Sequence, residues 1–149
     1  TNDTISTPIR LLDMGVPRYM VALSLQLVIA QRLVRVICEN CSRLYTPAPN
    51  EHAWLATELG EQASAHEYSR GAGCSICNGT GYQGRTGVYE SLEMTNAVVD
   101  AVNQPDTGVF VHVAREQMGG NTLRRDAMRL VVAGRTTIQE AMRVSNEFE

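Results

Sequence analysis

The sequence predicts a mixed α/β fold in which a small four-cysteine module lies between two strands and a series of short helices follows. Three observations predict it. A stretch dense in Val, Ile and Leu over residues 26–36 runs directly toward the first cysteine pair. All four cysteines fall within residues 38–77, and a second strand-like stretch over 85–92 comes soon after them. From residue 95 onward, apolar positions recur at helical spacing between capping and stop residues.

Taken in order, residues 4–14 read as a helix. Ile5, Ile9 and Leu12 share a face, Asp3 is placed to cap the start and Gly15 to end it. Pro8 falls near the first turn, where a missing N–H costs least. Val16-Pro17 opens a new element, and a short helix through about Leu23 fits. Over residues 26–36 the periodicity does not separate helix from strand, but the β-branched content favours a buried strand.

Residues 38–87 differ in character. Gly71, Gly73, Gly79, Gly81, Gly84 and Gly87 crowd the end of the stretch, a density that favours tight turns over long regular elements. Inside it, residues 50–59 read as a short helix capped by Asn50 and stopped at Gly60. The strand at 85–92 has Val88 and Leu92 among its apolar positions. Helices are then expected over 95–103, from a Thr95 cap, and over 105–118, although residues 109–113 are a strand by local preference. A further helix over 123–133 groups Leu123, Ala127, Leu130 and Val131 and stops at Gly134. Thr137 caps the last helix, with Glu140 placed for a capping box. There is no internal repeat and no low-complexity run.

The 149 residues fit one ordinary domain, or one domain with a small module. A hydrophobic content of 44% excludes a wholly disordered chain. The net charge of −3 and the pI of about 5.6 argue against a dedicated nucleic-acid binder, which carries a basic surplus. All 13 basic residues are arginine. The absence of lysine removes a P-loop lysine, a Schiff-base lysine and a lysine general base. The sequence opens at Thr1-Asn2-Asp3 without a methionine or a signal-like leader and reads as a piece of a longer protein. Its longest uncharged, mostly apolar run, residues 19–31, falls short of the ~20 residues of a membrane span, so a soluble chain is expected.

Cys38 and Cys41 form one C-x-x-C pair and Cys74 and Cys77 a second, with 32 residues between them. With a reducing cytosol as the default compartment, such pairs read as metal ligands before disulfides. Two tight turns, each presenting two sulfurs, build a tetrahedral site for one structural zinc ion. The long intervening loop is expected to carry structure of its own. Four thiolates and one zinc sum to a charge of about −2. Arg32, Arg35, Arg43, Arg70 and Arg85 lie close in sequence and read as partial neutralisation and solvated surface rather than a partner-binding patch. A thioredoxin-like redox site needs one pair at a helix N-terminus, and neither pair clearly starts a helix. An iron–sulfur cluster is the remaining four-cysteine alternative.

Nothing else in the chain assembles into a catalytic site. His52, His66 and His112 are scattered; His112 has Glu116 four residues on but no third ligand. Trp54 reads as the small core of the module. Glu39, Asp100 and Asp126 form no evident acid–base pair, and Ser6, Ser24 and Ser91 lie in no nucleophile elbow. There is no G-x-x-x-x-G-K-[ST] phosphate cradle. Arg124-Arg125-Asp126 reads as the wet face of its helix.

Five segments stand out in order: T-N-D at the start, R-L-L-D-M-G over residues 10–15, A-Q-R-L-V-R over 30–35, G-C-x-x-C-N-x-T-G-Y-x-G-R-T-G-V-Y-E over 73–90, and the tail L-R-R-D-A-M-R-L-V-x-x-G-R-T-T-I-x-E-A-M-R-V over 123–144. Together they resemble the secretion ATPases of type II secretion and type IV pilus assembly. The resemblance implies a parent that is a cytoplasmic, hexameric ATPase docked at the inner membrane, with a RecA-like core. It implies that the nucleotide motifs lie upstream, ahead of Thr1-Asn2-Asp3. Residues 1–37 would then end the RecA-like core, 38–84 would be the inserted zinc-binding module, 85–94 a further core strand, and 95–149 a C-terminal helical bundle touching neighbouring subunits. ATP and magnesium would belong to the full-length parent alone, and this portion, without catalytic residues, would hydrolyse no nucleotide by itself. Its partners would be the other subunits of the homohexamer, the inner-membrane platform, and the pilus or secretion machinery, with no nucleic acid. The ending over 136–144 resembles the pilus branch of the mannose-sensitive haemagglutinin type. Retraction motors of the family generally lack the four cysteines, which favours assembly.

Two other classes share features with the chain. C-x-x-C-x-G-x-G over 74–81 resembles the zinc knuckles of DnaJ-type chaperones, but Cys41 is followed by Ser42-Arg43-Leu44-Tyr45, so the repeat fails. A nucleic-acid-binding zinc ribbon would want a basic groove with aromatics, and this chain is acidic with few aromatics.

Overall fold

Asp3 does start the first helix. Its carboxylate accepts the Ser6 N–H at 2.7 Å, and helix α1 runs Ser6–Asp13. The computed structural model describes residues 3–145, so Thr1 and Asn2 of the T-N-D stretch lie outside the described residues. Gly15, at φ +94°, turns the chain out of α1 in the left-handed region that favours glycine. Helix α2, Arg18–Ser24, follows Pro17, and the long strand β1 spans Leu27–Ile37.

β1 is a strand, as its β-branched content predicts, but it is not buried on both faces. Val28, Ala30 and Val34 are buried while Leu27, Ile29 and Leu33 are exposed. The alternation arises because β1 pairs with β4, Tyr82–Glu93, in a two-stranded sheet with one covered face. The Met94 N–H reaches the Gln26 carbonyl at one end and the Cys38 N–H the Gly81 carbonyl at the other, so the pair is antiparallel. β4 begins three residues earlier than the expected strand at 85–92.

Between these strands the chain forms β2, Ser42–Tyr45, helix α3, Pro49–Leu59, a 3-10 turn at Gly60–Ser64, and β3, Tyr68–Gly71. β2 and β3 pair antiparallel, with Ser42 opposite Gly71 and Tyr45 opposite Tyr68. Asn50 does not cap α3. Pro49 takes the first helical position, and Glu51 reaches back to accept the Ala48 N–H at 2.9 Å and the Tyr45 hydroxyl at 2.6 Å. Trp54 is buried, as the core role requires, and the Arg124 guanidinium lies over its ring at 5.7 Å.

Helices α4, Asn96–Val102, α5, Thr107–Met118, α6, Leu123–Val132, and α7, Ile138–Ser145, complete the described chain. The strand preference of residues 109–113 loses to packing. Phe110, Ala114 and Met118 repeat at four-residue spacing and are all buried along one helical face. The α5 N-cap is Asp106, whose carboxylate accepts the Gly108 N–H at 2.9 Å. Thr95 stands at the N-cap of α4, but its hydroxyl turns instead to Gln117, at 3.4 Å.

The chain divides into two compact units. One comprises Tyr89–Leu123 and the chain up to Gln31; the other comprises Arg32–Val88 and the chain from Arg124 onward. The first packs Val21, Val28, Leu92, Val98, Phe110 and Met118 into one apolar core. Within it, the buried Glu90 carboxylate accepts the backbone N–H groups of Thr4 and Leu123, both at 3.0 Å. This ties the approach to α1 to Leu123 and satisfies N–H groups that a helix start leaves open. The second unit contains all four cysteines. Among the described residues, no helix is long and apolar enough to cross a membrane.

Candidate metal centre

Each C-x-x-C pair lies on a tight turn. In the first, the Cys41 N–H reaches back to the Cys38 carbonyl at 3.3 Å, directly after β1. In the second, the Gly79 N–H reaches the Cys74 carbonyl at 2.8 Å and the Thr80 N–H the Cys77 carbonyl at 3.2 Å, directly before β4. Asn78 takes φ +56°, a left-handed conformation that asparagine tolerates better than most side chains. The β1–β4 pairing brings the turns together, since the Cys38 N–H is bonded to the Gly81 carbonyl at 3.0 Å. The module's interior closes the other side, where the Ala72 N–H bonds the Cys41 carbonyl at 2.9 Å.

All four sulfurs converge within 4.8 Å of one another, close enough to hold a metal ion. Cys38 Sγ lies 3.8 Å from Cys74 Sγ, Cys41 Sγ 3.8 Å from Cys77 Sγ, and Cys74 Sγ 3.6 Å from Cys77 Sγ. Among the described residues this is the one grouping of three or more histidine, cysteine or acidic side chains with that proximity. His52 instead meets the Ser64 hydroxyl at 3.0 Å, and His112 pairs with Glu116 at 3.3 Å on an exposed helix face.

Backbone N–H groups point at the sulfurs. Gly73 donates to Cys41 Sγ at 3.3 Å, while Cys74 and Gly81 donate to Cys77 Sγ at 3.3 and 3.2 Å. Burial works to raise the Cys77 pKa, but these two amides, with the neighbouring thiols of Cys74 and Cys41, outweigh it and bring it down to about 6. Burial dominates at Cys41 and pushes its thiol up to about 11. The Asn40 side chain and the Cys77 amide draw Cys74 below the ordinary thiol value. A thiolate-favouring environment at two neighbouring corners of a sulfur cluster suits metal binding, because the thiolate is the ligating form.

Gly73 and Gly81 therefore serve the cluster directly, a role that the glycine density of the sequence could only suggest. Gly71 has a different task. A β-carbon there would sit 2.0 Å from the Gly81 carbonyl oxygen, so only glycine lets β3 approach that strand start. Gly71→Ala is expected to destabilise the cysteine-bearing unit by about 2 kcal/mol, since backbone must move to admit the methyl group. Denaturant unfolding checks this, and an unchanged midpoint would show that the close approach is dispensable.

Two of the arginines near the cysteines in sequence have other partners in space. Arg35 binds the Glu140 carboxylate at 3.0 Å and lies over the Tyr82 ring at 4.1 Å. Arg70 lies over the Tyr45 ring at 5.7 Å. Glu140 was read from the sequence as a capping-box residue, but its pairing with distant arginines was missed. Its backbone N–H meets the Thr137 hydroxyl at 3.2 Å, which is half of the expected capping box. Its carboxylate, however, turns inward to Arg35 and Arg143.

Residues 1–143 match the family described as Type II/IV secretion system protein. The chain belongs to that family. Among relatives in this secretion family, type II secretion system protein E of Aeromonas hydrophila is 33% identical over 99% of this chain and 28% of its own length. Type IV pilus assembly ATPase PilB of Acinetobacter baylyi is 35% identical over 99% of this chain and 25% of its own length. Type II secretion system ATPase E of Vibrio cholerae is 31% identical over 99% and 28% respectively. The chain thus spans about a quarter of the length of these secretion and pilus proteins, and the resemblance read from its motifs is to the right family.

Proposed function

We propose that Cys38, Cys41, Cys74 and Cys77 hold one structural zinc ion, and that the chain is the zinc-carrying C-terminal portion of a hexameric ATPase powering type II secretion or type IV pilus assembly. The metal reading is carried by sulfur–sulfur separations of 3.6–3.8 Å. A tetrahedral ion with Zn–S bonds of about 2.3 Å sets its sulfurs about 3.8 Å apart. When bound, zinc supplies four metal–sulfur bonds and no redox chemistry, so its role is to lock the two turns together. The chain's own residues orient the ligands. The β1–β4 pairing fixes the distance between the turns, and the amides of Gly73, Cys74 and Gly81 aim at the sulfurs.

Similarity to proteins named as secretion and pilus-assembly ATPases supports the motor context. In that reading residues 1–37 and 85–94 supply the last strands of a RecA-like core, 38–84 the zinc module, and 95–149 a helical bundle against neighbouring subunits. ATP and magnesium are bound by upstream parts of the parent, which works on the cytoplasmic side of the inner membrane. The role of this portion is structural bracing and subunit contact. The lack of any lysine agrees with a nucleotide site built elsewhere.

Elemental analysis of the reduced, folded chain tests the metal reading, with one zinc per chain expected. A folded, fully reduced sample without metal overturns it. For the motor reading, the chain alone should hydrolyse ATP at background, and the full-length protein should hydrolyse it.

A further inference from the structure

The four sulfurs are not equally protected. Cys38, Cys41 and Cys77 are buried, with exposures of 0%, 4% and 5%. Cys74 is the one part-buried cysteine of the four. Cys77 Sγ lies nearest to it, at 3.6 Å, and receives amide hydrogen bonds from Cys74 and Gly81. The other two cysteines are anchored differently. Cys38 directly follows β1 and is hydrogen-bonded through its backbone to Gly81, and Cys41 through its backbone to Ala72.

We propose that Cys74 is the oxidation site of the centre and that Cys77 is its resolving partner, so that a hydroperoxide opens the second turn and releases the metal. This rests on the zinc reading above. The attacking group is the Cys74 sulfur, carried by the one cysteine of the four that is not buried. Its electron pair takes one peroxide oxygen, the O–O bond breaks, and hydroxide leaves, so Cys74 becomes a sulfenic acid. The Cys77 sulfur then attacks the Cys74 sulfur, forming the S–S bond and displacing a second hydroxide. In total, two thiolates give up two electrons and one hydrogen peroxide accepts them to become two hydroxides. Only Cys38 and Cys41 are left as thiolates, too few for a closed four-sulfur site. The centre is thereby a target of oxidation, unlike the thioredoxin-like catalyst weighed in the sequence.

The test uses the reduced chain after its zinc content has been measured, treated with hydrogen peroxide in the presence of a metallochromic indicator. One zinc per chain is expected to appear in solution, with a Cys74–Cys77 disulfide found by mass spectrometry while Cys38 and Cys41 still react with an alkylating agent. In a parallel sample without peroxide, limited iodoacetamide should label Cys74 at least about tenfold faster than the other three, as exposure dictates. That measurement needs no variant and does not depend on a mutant folding. First labelling at a buried cysteine, a disulfide excluding Cys74, or a centre that keeps its zinc after peroxide treatment would each overturn the proposal. A chain found without zinc before peroxide is added overturns the metal reading instead.

Discussion

Removing zinc from the folded chain with a strong chelator is expected to unfold residues 38–81 and to leave the unit built around Phe110 largely folded. Structural zinc in small peptides supplies on the order of 10 kcal/mol of apparent folding free energy, comparable with the whole stability of an ordinary domain. The cysteine-bearing segment has little to replace it. Its hairpin pairs strands of four residues each, Ser42–Tyr45 with Tyr68–Gly71, and a short two-stranded sheet is marginal in water. The core that includes Val21, Leu92, Val98 and Phe110 contains no cysteine. Hydrogen exchange reads the outcome directly, with protection lost at β2, α3 and β3 and retained in α4 and α5. Cys77→Ser should reproduce the effect, because a serine hydroxyl replaces the thiolate that receives two amide bonds. Unchanged protection after complete metal removal would mean that the four sulfurs do not hold the module together.

That segment also shows what the sequence could and could not disclose. The cysteine pairs were legible because each turn is built from residues three apart, whereas the convergence of the two turns rests on the β1–β4 pairing of residues far apart in sequence. β1 and the terminal helices were legible from composition and period. β2 and β3 were not. Neither Ser42–Tyr45 nor Tyr68–Gly71 alternates cleanly, and their pairing joins residues separated by α3 and a 3-10 turn. Residues 109–113 carried a strand preference that the buried spacing of Phe110, Ala114 and Met118 overrode. Asn50 looked like a cap because caps are judged by residue type, whereas Pro49 and the reach of Glu51 moved the helix start upstream. Glu140 was beyond reach for a different reason. Its capping-box spacing is local, but its carboxylate is committed to Arg35, 105 residues away.

That commitment makes Glu140→Gln the substitution with the second largest expected cost, about 3 kcal/mol at neutral pH, because a buried charge network loses its anion. The Glu140 side chain is 2% exposed. One oxygen accepts the Arg35 backbone N–H at 2.7 Å and an Arg143 guanidinium N–H at 2.9 Å. The other accepts two guanidinium N–H groups of Arg35, at 3.2 and 3.0 Å. Arg143 also donates to the Leu33 carbonyl at 2.9 Å, and the Thr136 hydroxyl to the Arg35 carbonyl at 2.7 Å. Side chains from α7 and the turn before it thus occupy polar groups along β1 that would otherwise form an open strand edge. An amide at position 140 keeps the shape and one acceptor oxygen, but it replaces the other with N–H groups facing donors that have only N–H groups to offer.

The same network fixes the pH dependence. Burial works to raise the Glu140 pKa, but the bonds from Arg143 and Arg35 outweigh it and lower it from 4.5 to about 2. A carboxylate depressed in the folded state contributes stability that is present above its unfolded value and is lost as pH falls from about 4.5 toward 2. Because both guanidiniums are about half exposed, solvent screening reduces this contribution to on the order of 2 kcal/mol. Acid also protonates the cysteine thiolates, but it does so in both proteins, so the difference between wild type and Glu140→Gln isolates the carboxylate. Denaturant unfolding should show that difference at full size at pH 7 and distinctly smaller at pH 3. A difference that stays constant across that interval would show that Glu140 holds α7 to β1 through shape alone and that its charge contributes nothing.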